Sequence, residues 1–535
     1  MLGFHIDFNT AHFNPQYLRK WLRQLADLGY DTIVWELEDY VRWDICPETA
    51  SAEALSKIEF TAILDYSRSL GLKNIPLLQC LAHSEYVLKH EKHYHLSEKP
   101  GSLSSYCPRN EKVHQFLTAW ISEYLEVFHD AEYFHLGCDE AFKLGKECPS
   151  CSTFILEHSK SELVVTHINR LAAILLKRQI TPIIWADMVL THHESINLLS
   201  RDIMLFDWRY EIYRGNGKVW GWDEVGGRLY TGETIPENIK KTFMKWLYPL
   251  GDELAREPEP FYTADYLKEM GFKVVTCPTA SCYQDNVFAP RNFMHIANIF
   301  DSTRKGNTLE GSVVTSWTVH LFPYELQFPA IAAAKYALNN DYSLEAFQVE
   351  FSKYFFGLAN NDFFIAAGLL SKNCLFSYGG TLGFGKFTRP AESGHIKRIL
   401  ARELEANRLD ANIENCRSRK QEYGQAKIMF EQLLNQELLN RDLVEKWLLA
   451  ARNLENRANV SLLILQMRKA DSSMDTLRPG NDEITAVLSE LRLLKQLTEE
   501  MYQSISMPQR REEIIGWIFN AVEEELAGYI NIKGK

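Results

Sequence analysis

Eight short runs of β-type residues, separated by longer helical patterns, dominate the chain up to about residue 340. They are Leu2–Asp7, Thr32–Leu37, Lys73–Gln79, Glu132–Gly137, Pro182–Ala186, Ile203–Trp208, Phe272–Thr276 and Gly311–Trp317. A strand followed by a helix, repeated, makes a parallel sheet, because parallel neighbours need a crossover between them. One crossover reads YLRKWLRQLADL, Tyr17–Leu28, and stops at Gly29, a residue type suited to the left-handed end of a helix. Eight such units predict an α/β protein with a closed (β/α)8 TIM barrel. An open doubly wound sheet would carry a Gly-rich phosphate turn after its first strand, and DFNTAHF is no such turn.

The barrel is expected over residues 1–345, with a long insertion after the sixth strand, residues 209–262. That insertion holds Trp220, Trp222 and Trp246 and the patch GWDEVGGRLYTGE. On the C-terminal face of a barrel it reads equally as a substrate wall or as a decorated surface loop. From Ala346 strand signals stop, and patterns such as LVEKWLLAARNLENRANVSLLILQ predict a helical C-terminal domain, 346–535. Whether it braces the barrel or forms a homodimer contact is open at this level. The Asn459–Ser461 triplet, NVS, falls inside this helical pattern and is not read as a glycosylation site.

Composition narrows the function classes. With 58 basic and 70 acidic residues the net charge is −12, and no basic stripe offers contacts to nucleic-acid phosphates. No run of about 18 apolar residues suggests a membrane span. MLGFHIDFNT lacks the charged and apolar regions of a secretory signal, so a cytoplasmic protein is expected. The ten cysteines, several inside apolar runs such as LLQC, suit reduced buried thiols better than a disulfide framework. Cys148-Pro-Ser-Cys151 has the spacing of a metal half-site, but a single such pair is a weak signal. No second pair follows, and His158 nearby leaves the set incomplete, so no metal or other cofactor is expected.

In such a barrel the catalytic groups collect where strands end. Those ends read ELEDY, QCLAHSEY, HLGCDE, IIWADM, LFDWRY and SWTVHLFPYE. Carboxylates, a histidine and tryptophans therefore meet on one rim, as a sugar site requires: carboxylates bind hydroxyls and donate protons, and indoles stack on apolar sugar faces. Adjacent Asp139 and Glu140 follow a strand and a glycine. Two like charges held close should raise one pKa and leave a proton donor near neutral pH.

The stretch HLGCDE, His135–Glu140, matches the H-x-G-x-D-E signature of glycoside hydrolase family 20, the β-N-acetylhexosaminidases. IPLLQCLAHSEYVLKH, ELEDY and SWTVHLFPYELQFP resemble the hexosaminidase D-like branch of that family. The similarity spans residues 1–340 and is thin at strands six and seven.

The resemblance implies an exo-acting, retaining enzyme with substrate-assisted catalysis, releasing terminal β-linked GlcNAc or GalNAc from a carbohydrate substrate. It gives Asp139 the task of positioning the substrate acetamido group and Glu140 that of acid and base. His83 would support the acid, and Asp39 would pair with His83. Trp185, Trp208 and Trp317 would line the sugar pocket, and Glu325 and Glu38 would accept its hydroxyls. Glu38 and Asp187 read equally as solvated loop carboxylates. Tyr283 is implied as the group holding the acetamido oxygen, with Tyr210 the alternative. Many relatives carry an arginine after strand one that grips sugar hydroxyls; here Thr10 and His12 stand near that place.

Two other readings compete. One is a catalytically silent sugar-binding barrel. The other is a metal-dependent hydrolase using His83 and His135, disfavoured because strand one lacks H-x-H.

Overall fold

The computed structural model describes residues 1–103, 105–145, 147–223, 226–249, 257–317, 322–339, 342–378, 395–472 and 478–530. Parts of the expected insertion (224–225 and 250–256) and of the strand-eight stretch (318–321) lie outside them.

The strands are β1 Leu2–Asp7, β2 Thr32–Glu36, β3 Lys73–Leu77, β4 Tyr133–His135, β5 Thr181–Trp185, β6 Met204–Trp208, β7 Lys218–Asp223, β8 Gly226–Thr231, β9 Lys273–Cys277, β10 Thr279–Ser281 and β11 Gly311–Ser316. The main sheet runs β1-β2-β3-β4-β5-β6-β9-β11, all parallel, and β1 closes on β11 with Leu2 opposite Ser312. This is the (β/α)8 barrel that the alternation predicts. The short β10 adds beside β11, and β7 and β8 form a separate antiparallel hairpin inside the insertion.

Side chains alternate across each strand, so each strand has an inner and an outer set. Ile33 and Trp35 of β2 face the helices, whereas Val34 joins Ile75, Leu77, Ile183, Trp185, Phe206, Val275 and Val313 in the barrel interior. In β1 the outer set is Leu2, Phe4 and Ile6. The inner positions therefore fall to Gly3, His5 and Asp7, which brings polar groups inside and upward to the strand ends.

Beyond the barrel lie the helices Leu344–Phe351, Asp362–Leu369, His395–Glu405, Leu409–Leu434, Arg441–Ser472, Asn481–Tyr502 and Pro508–Ile530. None of the described helices is long and apolar enough to cross a membrane. The NVS triplet sits in the middle of Arg441–Ser472. One continuous apolar core runs from the barrel's outer layer into these helices, including Trp21, Trp120, Phe363 and Trp447. The helical region thus braces the barrel.

The brace reaches the loop after β1. The Met507 amide donates to the His12 carbonyl at 2.8 Å, and the Asn14 amide to that of Ile505 at 2.8 Å. Lys446 binds Glu325 at 2.7 Å, and the Tyr17 hydroxyl donates to the same carboxylate at 2.5 Å. Asp39 lies 2.8 Å from His12 Nε2 and 3.2 Å from Arg510.

Burial opposes the charge of Asp39, but His12 and Arg510 win and hold its pKa at about 2. The folded state therefore refuses a proton that the unfolded chain accepts near the ordinary 3.8. That stability is present above the unfolded value and is lost as pH falls towards about 2. Asp39→Asn is expected to cost ~2 kcal/mol at neutral pH and to flatten the loss of stability over that acid window, as read from urea melts at several pH values.

Candidate active site

The C-terminal mouth of the barrel opens into a cavity of about 740 Å³. That volume suits a small ligand. Asp7, Asn9, Glu36, Gln79, His83, Asp139 and Glu140 line one side; Trp208, Tyr210, Glu211, Trp220, Tyr283 and Trp317 line the other.

The turn after β4 sets the geometry. Gly137, Cys138 and Glu140 all hold positive φ, at 64°, 68° and 51°. A Cβ on Gly137 would meet Gln79 Oε1 at 2.0 Å and the Gln79 Cα at 3.2 Å, so backbone and space both demand glycine. His83 (52°) and Glu38 (43°), at the ends of β3 and β2, share this left-handed strain. Such strain gathers where a structure holds side chains for a task.

The turn buries Asp139, whose side chain is 8% exposed, and leaves that of Glu140 46% exposed. His83 Nε2 stands 3.3 Å from Asp139 Oδ2 and 3.3 Å from Glu140 Oε2, between the two carboxylates. Asp139 Oδ1 is buried with no hydrogen-bond partner among the described residues. The Glu140 amide donates to Asp187 Oδ2 at 2.8 Å. Asp187 is fully buried, and burial, followed by the charges of Asp139 and Glu140, pushes its pKa well up. Asp187 supports the turn from below through the Glu140 backbone.

The aromatic wall is cross-linked. Trp317 Nε1 donates to the Tyr210 hydroxyl at 2.7 Å, and Trp208 stacks on the Tyr210 ring with centroids 5.2 Å apart. Trp220, from the hairpin strand β7, bonds the Tyr210 carbonyl through its indole. The insertion after β6 therefore contributes a wall of the cavity.

The sequence-derived set divides. Asp139, Glu140, His83, Trp208, Trp317 and Tyr283 come together at the cavity. Asp39 does not pair with His83; His12 and Arg510 take its carboxylate. Glu325 is not turned to the cavity but is held by Tyr17 and Lys446, because the C-terminal helices cover that side. Trp185 is fully buried beneath the cavity, 4.4 Å from the His135 ring and 5.8 Å from Trp317. Glu38 is buried and clusters with Asp7 and Glu36 rather than lining the cavity. Tyr283 is 54% exposed at the rim, whereas Tyr210 is central. Thr10 and His12 are buried away from the cavity.

Sequence reasoning missed Asp7, Glu36 and Gln79. His5 Nε2 lies 2.9 Å from Glu36 Oε2, and Gln79 Nε2 donates to Glu36 Oε1 at 2.8 Å. The two-residue alternation in LGFHID and TIVWE already sets Asp7 and Glu36 on the inner face of their strand ends. His135 Nδ1 accepts from the Gly137 amide at 3.0 Å, and burial pushes the histidine's pKa well down. It supports the turn and does not line the cavity. The expected half-site Cys148–Cys151 gains a third thiol, Cys107, while His158 turns away to Glu162 at 3.2 Å.

Gly137→Ala is expected to cost more than ~3 kcal/mol in chemical denaturation, because it adds left-handed strain to a clash with the Gln79 side chain, which is itself held on Glu36. A variant of wild-type stability would show that the turn can relax.

Residues 3–220 match the family model described as glycosyl hydrolase family 20, catalytic domain. The match ends in β7, so β9, β11 and Trp317 lie beyond it. Hexosaminidase D of Bos taurus is 29% identical over 271 residues, covering 46% of this chain and 78% of that protein. Hexosaminidase D of Homo sapiens is 29% identical over 189 residues, 35% of this chain and 39% of that one. Among solved structures, the chitobiase of Flavobacterium johnsoniae aligns with a TM-score of 0.48 at 17% identity, covering 97% of this chain and 78% of that one. A β-N-acetylhexosaminidase of Bacteroides fragilis aligns with a TM-score of 0.48 at 14% identity, covering 66% and 68%. With the H-x-G-x-D-E turn at the mouth of the barrel, the match over residues 3–220 and the hexosaminidase D relatives support a glycoside hydrolase of the family 20, hexosaminidase D-like kind.

Proposed function

We propose that this β-N-acetylhexosaminidase is exo-acting and retaining, and that the substrate's own acetamido group supplies the nucleophile. It would release terminal β-linked GlcNAc or GalNAc. The observation that carries the reading is the contrast within one turn: a buried Asp139 with an unpaired oxygen beside an exposed Glu140, joined through His83.

In this reading the acetamido carbonyl oxygen attacks the anomeric carbon while the bond to the leaving oxygen breaks. Glu140 gives its proton to that oxygen. The acetamido N–H donates to Asp139, whose negative charge favours the cation that develops on the amide. The product of this step is an oxazolinium ion. Water then attacks the anomeric carbon and gives a proton to Glu140, the ring opens, and the sugar leaves with its original configuration. The Tyr210 hydroxyl, which already accepts the Trp317 indole proton, keeps its own proton for the acetamido oxygen. Tyr210 therefore suits that role better than Tyr283. Asp7, Asn9, Glu36 and Gln79 stand where sugar hydroxyls need partners, in place of an arginine after β1. Trp185, His135 and Phe206 pack beneath the cavity, and a blind pocket of this kind favours action on chain ends.

The wild type is expected to hydrolyse an aryl N-acetyl-β-glucosaminide or galactosaminide and to ignore the plain β-glucoside. Glu140→Gln should lose roughly 10²–10⁴-fold in kcat. Asp139→Asn should lose comparable rate with unchanged stability. Turnover of the plain glucoside at the same rate would sink the substrate-assisted reading, and binding without turnover would favour a silent sugar-binding barrel.

Asp187 acts through the Glu140 backbone, so it is a positioning residue. Asp187→Asn keeps an acceptor for the Glu140 amide and should stay within a few-fold of wild type. Asp187→Ala should lose ~1–3 kcal/mol of transition-state stabilisation, roughly ten- to a hundredfold in kcat/KM. Equal losses in the two variants would contradict this role.

A further inference from the structure

We propose that Cys107, Cys148 and Cys151 hold a zinc ion that staples the loop carrying His83 to the loop carrying Asp139 and Glu140. Cys107 ends the long β3 loop, just before the helix Glu111–Val127. Cys148 and Cys151 open the helix Pro149–Glu157, which follows the β4 turn. The three thiols are buried, at 4%, 8% and 0% exposure, and none of them lines the sugar cavity.

The sulfur spacing is that of a metal site. Cys107 Sγ lies 3.5 Å from Cys148 Sγ and 3.5 Å from Cys151 Sγ, and all three sulfurs fall within 4.8 Å of one another. A disulfide needs about 2.05 Å. Zinc at about 2.3 Å from each thiolate in a tetrahedron puts sulfurs ~3.8 Å apart. The Cys-x-x-Cys spacing on a helix start lets two thiolates converge, and the third arrives from another loop, as structural zinc sites are commonly built. The surroundings supply what thiolates on zinc require. The Arg109 backbone N–H bonds the Cys107 sulfur. The Glu98 carboxylate hydrogen-bonds Cys151 and is itself oriented by the Gly145 amide at 2.8 and 3.0 Å. Glu98 is thus placed as the partner of a metal-bound water in the fourth position.

Other groupings carry less. Cys282, Asp285 and His295 also converge, but Arg291 already occupies that cluster, 3.2 Å from the Cys282 sulfur and 3.1 Å from Asp285. Asp7, Glu36 and Glu38 belong to the sugar cavity or its edge.

Three cysteines brought together from two loops, with no disulfide, could otherwise be simple core thiols. The distinction is experimental. Full-length protein, freed of any tag, is purified with reductant and without chelator, and its zinc is measured by mass spectrometry. One zinc per chain is expected. Cobalt exchanged into the wild type should show thiolate-to-metal charge transfer and the visible bands of a tetrahedral site, a readout that needs no variant to fold. Cys107→Ser and Cys148→Ser should each lose the ion, while Cys46→Ser, a buried thiol elsewhere, keeps it. Chelation should lower the thermal midpoint. Wild type that takes up no zinc when supplied with it, a triple serine variant that retains the metal, or a mapped Cys148–Cys151 disulfide in the native protein would each overturn the proposal. Failure of sugar hydrolysis would leave the zinc content unaffected, so the two readings fall separately.

Discussion

The turn after β4 must deliver two adjacent carboxylates to different environments. Along a regular strand, neighbours alternate between faces, and a strand that simply continued would send one of them out to the helices. Positive φ at Gly137, Cys138 and Glu140 breaks the strand and puts Asp139 into the floor and Glu140 into the opening. The cost of that strain is met by bonds around it. His135 takes the Gly137 amide, Asp187 takes the Glu140 amide, and Gln79 fills the space that a Cβ would need. Around this turn every other feature of the mouth is arranged: His83 between the carboxylates, and the Tyr210-centred aromatic wall facing them.

The rest of the chain stiffens the loops that surround the turn. The C-terminal helices bind the segment after β1 through backbone bonds to His12 and Asn14, and they hold Asp39 through Arg510. Glu325, on the loop region after β11, is taken by Lys446. The insertion after β6 supplies Trp220 to the opposite wall. A barrel otherwise shaped by apolar packing thus has its mouth braced by charged contacts from a helical layer.

The barrel was legible because periodicity is local. All eight barrel strands fall within two residues of the runs in the sequence, from Leu2–Asp7 to Gly311–Ser316. The hairpin β7–β8 was not, since its strands are rich in glycine and tryptophan and look like loop. Asp139, Glu140 and His83 were legible through a motif whose spacing is fixed by one turn. The partners of Asp39 and Glu325 were not, because Arg510 and Lys446 lie far along the chain and only tertiary packing brings them near. Asp7 and Glu36 could have been found from strand alternation alone. Cys107 could not, because the helix Glu111–Val127 and β4 separate it from Cys148 along the chain.

The central claim is that the nucleophile belongs to the substrate and that Asp139 only positions it. The direct measurement is kcat/KM for a series of aryl N-acyl-β-glucosaminides whose acyl methyl carries none, one, two or three fluorine atoms. Fluorine withdraws electron density from the carbonyl oxygen. If that oxygen attacks the anomeric carbon, kcat/KM should fall steeply and steadily with each fluorine added. A flat series, with the trifluoro substrate turned over as fast as the parent, would mean that a group of the protein or a water molecule attacks instead, and would contradict this account.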